Sequence, residues 1–218
     1  MNPTHPQSGG GEIPHGARFW EESFRGHEIG WFFGGEPSTL ARRLLHFFRF
    51  LEIPTVGRLL DLGCGEGRDA VFFASAGFDV EALDAAPTGV ERARQALAKA
   101  GARATVREVD LAHMTWQGEY DVVFANNSVQ FAGTGALRVL EEIRAHTRLG
   151  GWNAIGMFTR EEIDWRREPD IYYLDQRELK HLYHHWTLLE YAESVTYSPR
   201  RAHYLSLANL IARRPSER

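Results

Sequence analysis

The chain has 218 residues and a formal net charge of −4, and 43% of its residues are hydrophobic. This length and composition are typical of one globular domain with a substantial core, and the lack of a basic footprint argues against a nucleic-acid partner. The lone cysteine, Cys64, excludes an internal disulfide and favours a reducing compartment. No apolar run approaches the ~18 residues of a membrane helix. We therefore expect a cytoplasmic protein with no membrane partner and no obligate protein partner.

The N-terminal residues differ in composition from the rest of the chain. Residues 1–16 are rich in Pro, Gly and His and lack the apolar core of a signal peptide, so we expect a flexible arm. Residues 17–218 are predicted to form a single domain, in which 17–56 make a helical cap or lid.

Two helices are indicated within this cap, over Ala17–Phe24 and over residues 38–51, because apolar residues recur there at helical spacing. Between the helices, Trp31, Phe32 and Phe33 lie among glycines. A flexible aromatic segment of this kind either closes over a ligand as a lid or simply covers the core. The sequence favours the two interpretations equally.

A short apolar strand, a glycine-rich turn and the start of a helix follow one another in residues 59–69. Asp61 lies in the strand, and Gly63, Gly65 and Gly67 follow it with the spacing G-x-G-x-G. Glycines allow a tight turn and let a ligand approach bare backbone, and a helix starting there aims free N–H groups at the same crevice. The spacing is neither the dinucleotide fingerprint nor the phosphate loop. An acid beside the turn would repel pyrophosphate but could meet a cationic, zwitterionic ligand.

Polar side chains also end two later strands. Asp84 closes the second apolar strand, 17 residues beyond Gly67. This is close to the ~20 residues at which an acid meets a ribose diol in nucleotide-binding folds. A helix N-cap is the alternative role, and the neighbouring glycine turn favours the ribose. Asn126, Asn127 and Ser128 follow the fourth strand, where ligands in the crevice of a parallel sheet are met.

Strand and helix patterns alternate through the middle of the chain, which predicts an α/β fold with a doubly wound, mainly parallel sheet. The further strands are expected at 79–84, 104–109, 120–125 and 153–158, with helices at 70–76, 87–100 and 136–147.

The C-terminal region has a different pattern. A helix is predicted at 175–185 and two last strands at 186–191 and 204–212, with Arg200 and Arg201 in the turn between the strands. Three histidines of the predicted helix, His181, His184 and His185, could present two imidazoles to a metal. A solvated helix face explains them better, so no metal is expected.

The acid followed by G-x-G-x-G resembles motif I of the class I S-adenosylmethionine-dependent methyltransferases. Over a longer range, from about Gly57 to Arg214, the chain resembles the tellurite-resistance branch of that superfamily. The segments that carry this likeness are Leu60–Asp84, Val109-Asp110-Leu111 with Tyr120-Asp121, Glu178-Leu179 with Tyr183 and Trp186, and Leu210–Arg214.

This resemblance implies a Rossmann-like sheet of seven strands with helices on both faces and an antiparallel last strand. It also implies S-adenosylmethionine as the methyl donor, and small soft acceptors such as thiols or oxyanions of selenium and tellurium. Asp110 would reach the adenine amino group and Leu111 would lie against the ring. The expected donor-binding residues are Asp61, Gly63, Gly65, Gly67, Arg68, Asp84, Asp110, Leu111 and Asn126.

The chain departs from that branch on the acceptor side. The branch carries a His-Arg pair near the transferring methyl, and the matching stretch here, 193–197, lacks it. Residues 126–128 are polar where the branch is more apolar. The acceptor-side candidates are therefore drawn from this chain alone: Asn126 and Arg200 as catalytic residues, and Trp31, Phe32 and Tyr172 as substrate contacts.

Two other functions fit the same donor site. One is a non-catalytic S-adenosylmethionine-binding protein, in which the donor site would look the same. The other is a nicotinamide-dependent oxidoreductase, which the glycine spacing and Asp61 disfavour.

Overall fold

The computed structural model describes residues 15–27, 35–160, 170–198 and 203–217. A 3₁₀ helix, Val129–Gly135, follows the fourth strand. In chain order the other elements are α1 (His15–Arg25), α2 (Thr39–Phe50), β1 (Arg58–Leu62), α3 (Arg68–Ala76), β2 (Asp79–Asp84), α4 (Pro87–Ala100), β3 (Ala104–Glu108), β4 (Tyr120–Asn126), α5 (Ala136–Ala145), β5 (Thr147–Phe158), α6 (Glu178–Leu182), β6 (Thr187–Ser198) and β7 (His203–Arg213).

All seven strands form one sheet in the order β3-β2-β1-β4-β5-β7-β6. Strands β1 to β5 pair in parallel, and β7 lies antiparallel between β5 and β6. The expected doubly wound sheet with an antiparallel last strand is therefore confirmed. The strand order reverses between β1 and β4, which opens a crevice at the carboxyl ends of these two strands.

Helices cover both faces of the sheet, as predicted. On the first face, Val122 and Phe124 of β4 belong to a core cluster with residues of α2, α3 and α4. On the second face, Val123 and Ala125 pack in a cluster with residues of α5 and α6. Because side chains alternate along a strand, these two clusters define which way every neighbouring residue points.

Some boundaries differ from the prediction in the C-terminal region. The helix expected at 175–185 is only Glu178–Leu182, because Arg177 adopts a positive φ of 61° at its start and Tyr183 ends it. Strand β6 extends to Ser198 instead of ending near 191. Its second half is polar, and pairing with β7 residue by residue imposes the strand there.

Differences at two earlier elements are smaller. The helix predicted at 38–51 ends at Phe50, and Leu51 at its cap is 43% exposed instead of lying on the buried stripe. Strand β5 begins at Thr147 instead of at the predicted residue 153, and its pairing with β4 has a register shift between Tyr120 and Val122. Within the described ranges, no helix is long and apolar enough to cross a membrane.

A buried hydrogen-bonded chain joins the second face of the sheet to α6. The Tyr183 hydroxyl donates to Asn153 Oδ1 at 2.9 Å, and Asn153 Nδ2 donates to Thr147 Oγ1 at 2.7 Å. All three side chains are completely buried. Removing one member of this hydrogen-bonded series would leave its neighbour without a partner, and water cannot take its place in the buried site.

We expect Tyr183→Phe to lower the free energy of unfolding by about 1–3 kcal/mol, since it leaves the buried Asn153 oxygen without a donor. Urea denaturation followed by circular dichroism measures the change. Tyr197→Phe, at a ring that is 53% exposed, is the matched control and should change stability little. Equal stability of wild type and Tyr183→Phe would show that this chain of hydrogen bonds contributes nothing.

Candidate donor and acceptor site

Sterics explain why glycine stands at the first and third positions of the turn. A Cβ on Gly63 would lie 2.2 Å from Ser128 Cβ, and Gly63 has a φ of +73°. A Cβ on Gly67, whose φ is +81°, would lie 2.8 Å from the backbone of Ala93 in α4. Side chains at these two positions would push the turn off β4 and α4.

Backbone hydrogen bonds hold the turn against the end of β2. The amides of Gly63 and Cys64 both donate to the Leu83 carbonyl, at 2.7 and 2.9 Å. The Ser128 hydroxyl donates to the Leu62 carbonyl at 2.5 Å and so ties β4 to the end of β1. Cys64 is buried, and burial together with the Asp84 and Asp61 charges raises the pKa of its thiol well above normal. Its thiol is therefore an inert packing group.

Asp84 lies at the end of β2 and is 9% exposed. Its Oδ2 accepts the Gly65 amide at 2.8 Å and its Oδ1 accepts the Ala86 amide at 2.9 Å. Burial raises the pKa of this carboxyl, and these two amides oppose the rise. The capping alternative is partly visible, because Ala86 is the N-cap residue of α4. Each oxygen retains a second lone pair that a ribose hydroxyl could use.

Asp61 is the most unusual group of the site. Its side chain is 2% exposed, and Oδ2 has no hydrogen-bond partner among the described residues. Burial, reinforced by the charges of Asp69 and Asp84, raises its pKa well above normal, and Arg68 opposes the rise only in part. Such a carboxyl favours a cationic ligand, which would compensate its buried charge.

A second buried oxygen without a partner lies at the end of the neighbouring strand. Asn127 follows β4 with a positive φ of 57°, and its Oδ1 is buried and accepts no hydrogen bond from the described residues. Two unsatisfied acceptors at adjoining strand ends suit a group with several N–H donors, such as an ammonium. No cluster of metal-ligating side chains occurs in the part of the chain that the structure describes.

The start of α3 lies beside these acids. Arg68, its first residue, has Nε 3.5 Å from Asp69 Oδ2. Asp69 Oδ1 accepts the Ser38 amide at 2.6 Å, which attaches the beginning of α2 to the site.

The predicted adenine contacts lie after β3. Leu111 is buried, and the Asp110 oxygens accept the Ala112 amide and lie 2.9 Å from His113 Nδ1. Asp110 thus shapes a local turn, and its contact with adenine stays a prediction.

Helix α1 covers the glycine turn. Phe24 is 2% exposed, and its Cζ lies 3.4 Å from the Cβ position of Gly65. Glu21 accepts the Thr88 amide and hydroxyl, each at 2.8 Å, and so fixes α1 to the start of α4. Part of the predicted cap therefore contacts the candidate donor site directly.

A series of aromatic rings continues from Phe24 toward the end of β5, with centroids 5.3 to 6.2 Å apart. Sequence analysis missed these rings because their elements are distant in the chain. In spatial order they are Phe24, Trp20, Phe131, Phe158 and Tyr173.

The structure describes two of the acceptor-side candidates, Asn126 and Tyr172, and not the other three. Trp31, Phe32 and Arg200 lie outside the described residues, so their roles stay predictions. Asn126 is the last residue of β4, close to the donor turn. Tyr172 is half-buried and donates its hydroxyl to Glu178 at 2.9 Å, and burial with this bond raises its pKa to about 12. That hydroxyl is engaged within the fold, and a substrate contact of Tyr172 stays a prediction.

Comparison with known proteins identifies a family whose sequence model matches this chain. The sequence model of the family described as "Tellurite resistance protein TehB" matches residues 47–202. A protein of Eikenella corrodens named "Hemagglutinin 1" is 30% identical over 72% of this chain and 55% of its own length. The "Probable S-adenosyl-L-methionine-dependent methyltransferase TehB" of Haemophilus influenzae is 24% identical over 63% of this chain and 49% of its own length.

The chain thus spans about half the length of the curated relatives it matches. Among solved structures, TehB from Haemophilus influenzae superposes with a TM-score of 0.71 at 20% identity, covering 89% of this chain and 67% of that chain. At this identity the superposition shows a shared fold. The family match favours the methyltransferase interpretation over a nicotinamide oxidoreductase.

We expect donor binding to depend on pH through Asp61. A ligand ammonium beside this carboxyl lowers its raised pKa, so binding releases a proton and affinity falls as pH falls. Titration calorimetry with S-adenosylhomocysteine, in buffers of different ionisation enthalpy, measures both affinity and proton release.

Asp61→Asn should abolish the proton release and flatten the pH dependence. Asp79→Asn removes an exposed acid at the other end of β2 and is the matched control. Proton release that persists unchanged in Asp61→Asn would assign it to another group.

We expect Asp84→Ala to weaken S-adenosylhomocysteine binding by about 1.5–3 kcal/mol through loss of a charged partner for the ribose. The same change removes the acceptor of the Gly65 and Ala86 amides, so a second ligand is needed. Wild type should bind the 2′-deoxy analogue less tightly than the parent compound, and Asp84→Ala should not discriminate between them. If the variant discriminates as well as wild type does, Asp84 only supports the turn.

Proposed function

Because the chain belongs to the TehB tellurite-resistance family of class I S-adenosylmethionine-dependent methyltransferases, we propose that it transfers the methyl group of S-adenosylmethionine to a small acceptor. The acceptor we propose is soft or anionic, a thiol or a chalcogen oxyanion. The observation that carries the donor assignment is the glycine turn surrounded by buried carboxylates, one of which has an oxygen with no partner among the described residues.

Each part of the donor has a matching group in this arrangement. Asp61 and Asn127 supply oxygens for the α-ammonium, and Arg68 supplies N–H groups for the α-carboxylate. Asp84 takes the ribose diol, and the segment beginning at Asp110 takes the adenine. The glycine turn lets the middle of the donor lie against bare backbone.

Methyl transfer is an in-line displacement in which the donor carries its own leaving group. A bond forms between the acceptor atom and the methyl carbon, the carbon–sulfonium bond breaks, and its electron pair stays on the sulfur of S-adenosylhomocysteine. The protein's task is to align the acceptor with the methyl group and to exclude water. A covalent nucleophile on the protein is not needed, which fits the inert thiol of Cys64.

The covering helix α1 supports exclusion of water from the donor. Phe24 lies against the glycine turn, and the Trp20 ring stacks on the Phe24 ring with centroids 5.6 Å apart. This apolar cover continues along the aromatic series toward the end of β5, on the side where an acceptor would enter. A lid at Trp31, Phe32 and Phe33 stays a prediction, since these residues lie outside the described ranges.

The proposed acceptor class rests on the family match and on the small size of the acceptor. The family description names tellurite resistance. An anion such as tellurite would neutralise the sulfonium charge as it approaches, and it needs no separate recognition domain. The single cysteine favours a reducing compartment, so we propose a cytoplasmic setting, with neither nucleic acid nor membrane as partner.

A methylation screen with labelled S-adenosylmethionine tests the proposal. We expect label transfer to tellurite, selenite or small thiols, and little or none to phenols, amines, RNA or protein. Asp84→Ala should lose most of the transfer at donor concentrations near the wild-type Kd.

Robust labelling of RNA or protein without labelling of thiols or oxyanions would overturn the acceptor class. Tight binding of S-adenosylhomocysteine without transfer to any acceptor would instead favour the non-catalytic donor-binding protein.

A further inference from the structure

Three residues from three strands lie directly opposite one another at the carboxyl edge of the sheet. Asn126 of β4 pairs with Gly156 of β5, and Gly156 pairs with Asn209 of β7. All three belong to the first face, because Phe124 and Ile211, each two residues away on the same strands, pack in the first-face cluster. The sequence positions are far apart, and only the strand order brings them together.

The central glycine lets the two carboxamides approach each other. A Cβ on Gly156 would lie 3.0 Å from Asn126 Oδ1 and 3.0 Å from Asn209 Oδ1, with Leu40 Cδ2 next at 3.6 Å. The two side-chain oxygens therefore converge over the glycine, beneath the start of α2, and the two nitrogens lie farther from it. Any larger residue at position 156 would occupy the space between them.

The nitrogen ends of both carboxamides have no hydrogen-bond acceptor in the part of the chain that the structure describes. Asn126 Oδ1 accepts from Asn127 Nδ2 at 3.3 Å, while no described residue accepts a hydrogen bond from Asn126 Nδ2. The Asn209 carboxamide makes no hydrogen bond to the described residues, and both side chains are half-buried. Polar groups that are partly removed from water and lack a partner among the described residues are costly unless another group, a ligand or water satisfies them.

This row lies beside the donor site. Ala125, the residue before Asn126, pairs with Leu62, the residue before Gly63 of the turn. A ligand above the row would therefore adjoin a donor held by the glycine turn. Strands β5 and β7 both lie inside the sheet. Polar side chains that serve only to contact solvent would be expected on an edge strand instead.

We propose that Asn126 and Asn209 form the recognition site for the methyl acceptor, with Gly156 as its floor. This inference rests on the proposed function and deepens it. The two neutral carboxamides donate N–H groups to an electron-rich acceptor, a thiolate or a chalcogen oxyanion, and orient it toward the methyl group. An arginine would pair strongly with the anion and lower the anion's nucleophilicity. Neutral donors hold the anion without this charge pairing. Asn209 has a positioning and specificity role that the sequence pattern did not signal.

Asn209→Leu tests the proposal, because leucine is close to asparagine in size but cannot hydrogen-bond. With tellurite and benzenethiol as probes, kcat/KM should fall about 10-fold or more, while the Kd for S-adenosylhomocysteine should stay within about twofold. Asn209→Asp, which places a carboxylate in the row, should impair the anionic probes still more. Gly156→Ala, whose Cβ meets both oxygens, should also reduce turnover without loss of donor binding.

Ser206→Ala is the matched control. Ser206 lies on the same strand, but its side chain points to the second face with Ala208, and its hydroxyl has no partner among the described residues. Turnover of both probes should be unchanged in this variant.

Turnover within about twofold of wild type in Asn209→Leu would overturn the proposal. An equal loss in Ser206→Ala, or a parallel loss of S-adenosylhomocysteine binding in Asn209→Leu, would show that the row acts through folding and would also overturn it. The proposed function fails separately, if wild type binds S-adenosylhomocysteine but methylates neither probe.

Discussion

The fold of this chain depends on the close approach of the glycine turn to two other elements. Gly63 lies against Ser128 after β4, and Gly67 lies against Ala93 in α4, at distances that no side chain could share. These two contacts fix where β1 ends, where α3 begins and how near β4 comes. The crevice at the reversal of strand order is therefore set by backbone packing before any functional side chain is placed.

Into that crevice the chain brings buried carboxylates, two of which disfavour the negative charge of Asp61. Asp61, Asp69 and Asp84 are all buried, and the pKa of Asp61 is raised by its burial and by the charges of the other two. Such a cluster costs free energy in the ligand-free protein, and a cationic ligand would recover it. The site is thus built for a positive group, while the row of Asn126, Gly156 and Asn209 beside it is neutral. This division supports the proposal of a sulfonium donor on one side and an electron-rich acceptor on the other.

Local sequence signals predicted the elements whose ends are determined by residues close in the chain. Strand β2 and helix α4 were predicted at their observed bounds, because Asp84, Pro87 and Gly101 mark the ends through backbone chemistry. The second half of β6 was missed, since pairing with β7 forms it in spite of its composition. Sequence motifs predicted the candidate donor site because its residues are close in the chain. Asn209 and the aromatic series had no such signal, because only the strand order and the packing of α1 bring them to the site.

A crystal structure with bound S-adenosylhomocysteine tests the central claim most directly. The account predicts the ligand's ammonium within hydrogen-bonding distance of Asp61 Oδ2 and Asn127 Oδ1, its ribose hydroxyls at Asp84, and its sulfur on the side of Asn126. A ligand bound away from the glycine turn, or one whose ammonium faces solvent while Asp61 stays unpartnered, would contradict it.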